Sequence, residues 1–216
     1  MMNVFRNESV AAGYDSYYQT TAGKRIDEIE KQAVKKYLDK IPRTTMLELG
    51  CGTGHWTEFF CNLGFNVVAI DSSGPMLAKA KNKNLINVNF KKADAASLPF
   101  SDNSFDLVTS ITMLEFTNDV TKIFKEIYRV LKPNGWIIFG SLNRNSELGK
   151  QKNADEIFKH AHFFSKDELI NSFSLFGKPS VNQCVYLSST FEILDNTPLR
   201  HKAEGAFLVT CVQKTK

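Results

Sequence analysis

The stretch Met46-Leu47-Glu48-Leu49-Gly50-Cys51-Gly52-Thr53-Gly54-His55-Trp56 limits the possible folds more than any other part of the chain. A short apolar run ends in an acidic residue, and three alternating glycines follow. Helical spacing then begins at once, with Trp56, Phe59, Phe60 and Leu63 at i, i+3, i+4 and i+7. Strand, tight glycine turn and helix in that order make the first βα unit of a nucleotide-binding sheet. Glycine is needed where a backbone takes φ > 0 or approaches a ligand closely. The helix start aims unpaired N–H groups and partial positive charge at an anionic group. The dinucleotide fingerprint would need glycine at position 55, which is His55, and no lysine follows as a phosphate loop requires. A ligand carrying both carboxylate and amine suits the turn better. Backbone N–H groups would take the carboxylate, and Glu48 would lie on the ammonium side.

The residues after the turn repeat the alternation. Phe65 to Ile70 is a β-branched run closing at Asp71, and Ser72-Ser73-Gly74-Pro75 starts a helix with a serine cap and an early proline. Val88 to Phe90, Phe105 to Ile111 and Trp136 to Leu142 read as strands. Val120, Ile123, Phe124, Ile127 and Leu131 mark the helix between the last two. The spacing therefore predicts an α/β fold with a mostly parallel sheet and helices on both faces. Before it, Lys24 to Lys40 reads as an amphipathic helix stopped by Pro42, preceded by a polar, tyrosine-bearing segment without clear periodicity. After it, residues 143–162 form a long polar connection, and Ser165-Lys166-Asp167-Glu168 resembles a capping box. Val181 to Leu187 and Ala206 to Val212 read as closing strands, with an antiparallel partner among them. One domain is expected over 1–216: a leading segment and helix (1–43), a cofactor-binding core (44–142) and a substrate-side part (143–216).

Composition excludes more than it assigns. A net charge of +4 from 27 basic and 23 acidic residues, with no dense basic block, gives no indication of nucleic-acid binding. No apolar run approaches membrane-spanning length, and the N-terminus lacks an apolar leader core, so a cytoplasmic location is expected. Cys51, Cys61, Cys184 and Cys211 are too scattered for a disulfide framework or a zinc site. His160 and His162, two apart, do not make a metal pair, so no metal is expected.

Acidic residues recur at successive strand ends. Asp71 closes the second strand about twenty residues beyond the turn, where a carboxylate accepts from both hydroxyls of a ribose. Asp94 follows the third strand, placed to accept from an adenine amine. With Glu48 they fall at the carboxyl edge of a parallel sheet, where such sheets bind ligands.

Four segments taken together carry a resemblance: LELGCGTG (47–54), VVAIDSSGPML (67–77), ADAASLPFSDNSFDLVTSI (93–111) and EIYRVLKPNGWIIFG (126–140). Residues 45–142 resemble the class I S-adenosylmethionine-dependent methyltransferases, in particular the UbiE/methyltransferase-11-like group. The resemblance implies a Rossmann-like class I methyltransferase sheet and S-adenosyl-L-methionine as cofactor. It implies that Gly50, Cys51 and Gly52 line the methionine end above Glu48. Asp71 would hold the ribose, Ser72 and Met76 would border the adenine, and Asp94 and Ala95 would read its edge. Ile111 would close over the cofactor, and Tyr14 and Tyr17 would be contacts from a lid. Two positions depart from the family pattern. Asn134 stands where glycine is usual, tolerable because asparagine visits the left-handed region. Met113-Leu114-Glu115-Phe116 replaces a histidine common after the fourth strand.

Methyl transfer needs alignment and, for a protonated acceptor, a base. Glu115 and Tyr14 are the catalytic candidates, with His55, His160 and His162 behind them; an exposed turn position is the expectation for His55. Phe158, Phe163, Phe164 and Phe191 in the connections favour a small organic acceptor. The alternatives are an RNA or protein methyltransferase, a non-catalytic binder of S-adenosylmethionine or S-adenosylhomocysteine, and a nicotinamide oxidoreductase, the last disfavoured by His55.

Overall fold

The computed structural model of the chain describes residues 4–194 and 203–215. Five strands, β1 (Thr45–Leu49), β2 (Asn66–Asp71), β3 (Val88–Lys92), β4 (Phe105–Ile111) and β5 (Leu131–Leu142), pair in parallel. Two more, β6 (Ser180–Tyr186) and β7 (Gly205–Gln213), complete the sheet in the order β3-β2-β1-β4-β5-β7-β6. β7 runs antiparallel to both of its neighbours. The order reverses at β1 and β4, which places the ligand crevice over the carboxyl ends of those strands.

Helices α1 (Glu8–Gly13), α2 (Thr21–Leu38), α3 (His55–Asn62), α4 (Gly74–Asn82), α5 (Val120–Val130), α6 (Glu147–Gln151) and α7 (Lys166–Phe173) flank the sheet. Strand side chains alternate between its two faces. Met46, Val67, Leu107 and Ile138 join Val34 and Leu38 of α2 and Phe60 of α3 on one face. Leu47, Val108, Ile137 and Phe139 join Ile123 and Ile127 of α5 and Phe173 of α7 on the other. Because both faces are covered, the central strands read as continuous apolar runs.

Several boundaries differ from the sequence reading for local reasons. From Val4 on, the leading segment is built of short helical turns: α1 is capped by Asn7, whose side chain accepts from Ser9 N–H, and a 3₁₀ turn follows over Tyr14–Gln19. Caps supplied by polar residues, not apolar periodicity, shape it. α2 begins at Thr21 because Thr20 caps it. β5 begins at Leu131, which pairs with Phe105. The pairing then skips to Leu107↔Trp136, leaving Lys132–Gly135 as an irregularity with Asn134 at φ +61. The capping box at Ser165 forms with both reciprocal bonds. The 143–162 connection contains α6 and short 3₁₀ turns. Much of the 188–205 connection lies outside the described residues.

Candidate active site

The three turn glycines all adopt positive φ, at +69, +54 and +82 for Gly50, Gly52 and Gly54. The turn's own amides are partly spent on holding its shape. Cys51 N–H donates to Ile70 O, Gly54 N–H to Cys51 O, and Gly52 N–H to Asp71 Oδ2 at 2.8 Å. A ligand carboxylate therefore cannot use those three donors, which narrows the expectation that the turn amides would hold it. The side of Gly52 is open: a Cβ there would meet nothing within 4 Å.

Asp71 is the hinge of the arrangement. Its Oδ1 accepts from Ser73 N–H at 2.7 Å while Oδ2 accepts from Gly52 N–H, which locks the turn to the start of α4. Each carboxylate oxygen has a second lone pair left for a ligand hydroxyl. Burial raises its pKa, opposed by the hydrogen bonds from Ser73, Gly52 and Ser72. Glu48 is buried, with Oε2 accepting from Thr57 Oγ1 at 2.6 Å. Burial pushes its carboxyl up to about 8, with Asp71 nearby adding to the rise and the Thr57 bond opposing it. A ligand ammonium beside it would favour the charged form.

Around this turn lies a narrow cleft lined by Glu48, Gly50, Cys51, Gly52, Ile111 and Tyr14. Tyr18, Thr53, Trp56 and Thr112, which sequence reasoning did not select, also line it, as does His55, one of the candidate bases. Thr112 is a β-branched residue at φ +49, an uncommon backbone state for its type. Cys51 is buried, and burial drives its thiol well above the usual range.

The leading segment crosses over this crevice and is fastened at several points. Ser73 Oγ donates to Phe5 O (2.6 Å), Thr53 Oγ1 donates to Asp15 (2.5 Å), and Lys83 pairs with Asp15 (3.2 Å). Tyr18 stacks on His55 with ring centres 3.6 Å apart, and His55 Nε2 lies 2.8 Å from Asp27 Oδ1. His55 is thus half-buried and engaged, not an exposed turn residue. Tyr14 and Tyr18, four residues apart, share the cleft-facing side, whereas Tyr17 is 47% exposed. Of the two neighbouring tyrosines, Tyr18 and not Tyr17 lines the cleft.

The remaining sequence-predicted residues are farther from the turn. Ser72 is half-buried beside Asp71, and Met76 is buried on α4, its N–H bonded to Ser73 Oγ. Asp94 is exposed and turns its Oδ1 to Ala96 N–H at 2.9 Å, with Ala95 half-buried next to it. None of the four lines the cleft itself. Glu115 does not line it either, because its 3₁₀ turn draws the carboxyl inward: Oε1 accepts from Leu142 N–H at 2.7 Å, and its carbonyl accepts from His162 N–H. Its Oε2 is buried without a partner among the described residues. His160 and His162 are exposed, and among the described residues no three His, Cys, Asp or Glu side chains gather as a metal site would need.

Burial pushes the Glu115 carboxyl up to about 7, against the opposing bond from Leu142. A raised carboxyl pKa stabilises the fold fully below the unfolded value, and that stability is lost as pH rises through the folded value. Glu115→Gln is therefore expected to gain about 1–3 kcal/mol over the native protein at pH 8 and little at pH 4.5. Urea denaturation at the two pH values measures this, and an equal change at both would refute it.

Comparison with known proteins agrees with this geometry. A family model described as a methyltransferase domain matches residues 47–139. An uncharacterized protein of Methanocaldococcus jannaschii is 31% identical over 99% of this chain and 100% of its own length. The malonyl-[acyl-carrier protein] O-methyltransferase of Buchnera aphidicola is 33% identical over 63% of this chain, which spans about half (52%) of that relative. Among solved structures, a Thermotoga maritima protein described as an S-adenosylmethionine-dependent methyltransferase, possible histamine N-methyltransferase, superposes with a TM-score of 0.78. It is 28% identical over 99% of this chain and all of its own. Open glycine turn, paired carboxylates and seven-stranded sheet thus coincide with a sequence match, and the chain belongs to the S-adenosylmethionine-dependent methyltransferases of the Rossmann-like class.

Proposed function

We propose that the protein transfers a methyl group from S-adenosyl-L-methionine to a small-molecule acceptor. The observation that carries this reading is the pair of carboxylates, Glu48 and Asp71, set about a glycine turn whose Gly52 side is open. Acceptors for an ammonium and for ribose hydroxyls at these two points fit the cofactor's donor set. When bound, the cofactor supplies an activated methyl group on a sulfonium.

The chain's own residues then bind, orient and exclude water. In this reading Gly50, Cys51 and Gly52 border the methionine end, and Asp71, Ser72 and Met76 the ribose and adenine. Asp94 and Ala95 sit at the adenine edge, with Ile111 between cofactor and acceptor. Tyr14 closes the cleft from above. Burial raises its hydroxyl pKa, so it acts as a neutral hydrogen-bonding wall. Glu115 is a positioning residue: through Leu142 N–H and His162 N–H it fixes both ends of the 143–162 connection to the end of β4. Alignment of this kind can contribute on the order of 7–11 kcal/mol to barrier lowering. The leading segment roofs the cleft, which favours a compact acceptor over a macromolecule. Among the described residues no helix is long and apolar enough to cross a membrane.

The test is a labelled-methyl assay in which the protein and cofactor are given a cell metabolite extract, with products identified by mass. A methylated small molecule is expected. Tight S-adenosylhomocysteine binding with no labelled product would instead mark a non-catalytic binder.

A further inference from the structure

The edge of the sheet at β3 takes no part in the cofactor cleft. β3 pairs with β2 alone, and α4 packs on one of its faces. The opposite edge of the sheet is engaged: the Tyr37 hydroxyl of α2 lies 3.2 Å from Ser180 Oγ of β6 and accepts from Asn182 Nδ2. In a parallel strand the N–H and C=O of one residue point to the same side, and successive residues alternate. Asn87 O accepts from Val67 N–H and Ala93 N–H donates to Asp71 O, so the odd-numbered residues of this stretch face β2. Val88, Phe90 and Lys92 therefore turn their amides and carbonyls outward, and among the described residues nothing bonds them there.

The same edge carries the surplus charge of the chain. Between Asp71 and Asp94 stand five lysines and no acidic residue or arginine, +5 in a chain whose total is +4, which leaves −1 for all the rest. These lysines are too widely spaced to form a block in the sequence, and the fold gathers them by laying α4 beside β3. Lys79, Lys81, Lys91 and Lys92 are exposed, and among the described residues none has an acidic partner, whereas Lys83 pairs with Asp15. Both faces of the edge are flanked: Lys92 Nζ comes within 3.9 Å of where a Gly74 Cβ would sit on α4, and Lys91 lies over the Phe100 ring at 5.1 Å. Ile86, 78% exposed, offers an apolar contact just before the strand.

A row of unpaired amides is a template for an added strand, and lysines along it repel a second copy of the same edge. The charge that repels a copy attracts an acidic chain. We infer that β3 is a docking edge for a partner protein, which adds an extended acidic segment to the sheet and sets its carboxylates against Lys79, Lys81, Lys91 and Lys92. Backbone pairing with Val88, Phe90 and Lys92 holds the segment, and the lysines select it. RNA fits this edge less well. Single strands stack their bases on exposed aromatic rings, and the one aromatic residue between Asp71 and Asp94, Phe90, packs against the core.

Fluorescence anisotropy on the full chain tests this with short labelled peptides: glutamate alternating with valine, lysine alternating with valine, and the glutamate peptide broken by a central proline. The glutamate peptide is expected to bind about tenfold or more tighter than either of the others, and to weaken as salt rises. The double variant Lys91→Glu/Lys92→Glu should weaken it by about tenfold, as should Lys79→Glu/Lys81→Glu on the surface of α4, with melting curves showing that both remain folded. Hydrogen exchange followed by NMR should show the amides of Val88, Phe90 and Lys92 slowed in the complex. Equal affinity for the lysine peptide, tolerance of the proline, unchanged affinity in both folded variants, or no binding would overturn the inference. So would tighter binding of oligouridylate than of the glutamate peptide, or a complex in which those three amides exchange as freely as before.

Discussion

Asp71→Ala is expected to weaken S-adenosylhomocysteine binding by about 100-fold or more. Hydrogen bonds to a charged group contribute roughly 1.5–3 kcal/mol each, and in the proposed site the variant loses those to both ribose hydroxyls. It also frees Gly52 N–H and Ser73 N–H, which the two carboxylate oxygens now hold at 2.8 and 2.7 Å, so the turn and the start of α4 come apart as a unit. A loss of about 1–3 kcal/mol of stability should accompany the loss of affinity. Asp71→Asn keeps one acceptor oxygen and should fall between the two. Calorimetry and a urea melt on each variant measure both effects. Affinity within threefold of the native protein in Asp71→Ala would show that the ribose lies elsewhere.

The second large effect separates two glycines in the same turn. A Cβ at Gly50 would lie 2.3 Å from Met113 Cγ and would also be forced to φ +69. Left-handed strain of about 1–2 kcal/mol and overpacking of about 1–3 kcal/mol add, so Gly50→Ala should lose roughly 2–5 kcal/mol of stability. For a chain of this size, that lowers the melting temperature by on the order of 5–15 °C. At Gly52 the same methyl group enters open space. Gly52→Ala should therefore lose only the strain, about 1–2 kcal/mol, while its methyl fills part of the cleft and weakens cofactor binding. Thermal melts and calorimetry on the pair should show opposite rankings. If Gly52→Ala binds the cofactor as the native protein does, the ligand does not pass over that residue.

The strands and the cofactor side were legible in the sequence because each rests on local chemistry. Apolar runs such as Val67–Ile70 can only be covered on both faces, and alternating glycines can only be a turn with positive φ. Asp71 was found by its distance from that turn along the chain. The roof of the site was not legible, since caps such as Asn7 and Thr20 and long-range tethers such as Asp15 to Thr53 leave no periodic trace. Tyr17 and Tyr18 are adjacent in sequence, and only the turn of the segment decides which one reaches His55. Glu115 looked cleft-facing because it follows a strand end, but its 3₁₀ turn directs it to Leu142.

The place of β7 has a consequence for how the protein is made. It lies between β5 and β6 and is buried along almost its whole length, yet it is the last of the seven strands in the chain. During synthesis the open edge of β5 must wait for about seventy further residues, several seconds at roughly 5–20 residues per second. Through that interval Trp136–Leu142 exposes an apolar strand with unpaired amides, the kind of edge that recruits other chains. Nascent chains cut short before Gly205 should therefore be the aggregating species. Keeping β5 sheltered until β7 arrives is a task for the ribosome exit and its chaperones, not for the finished fold.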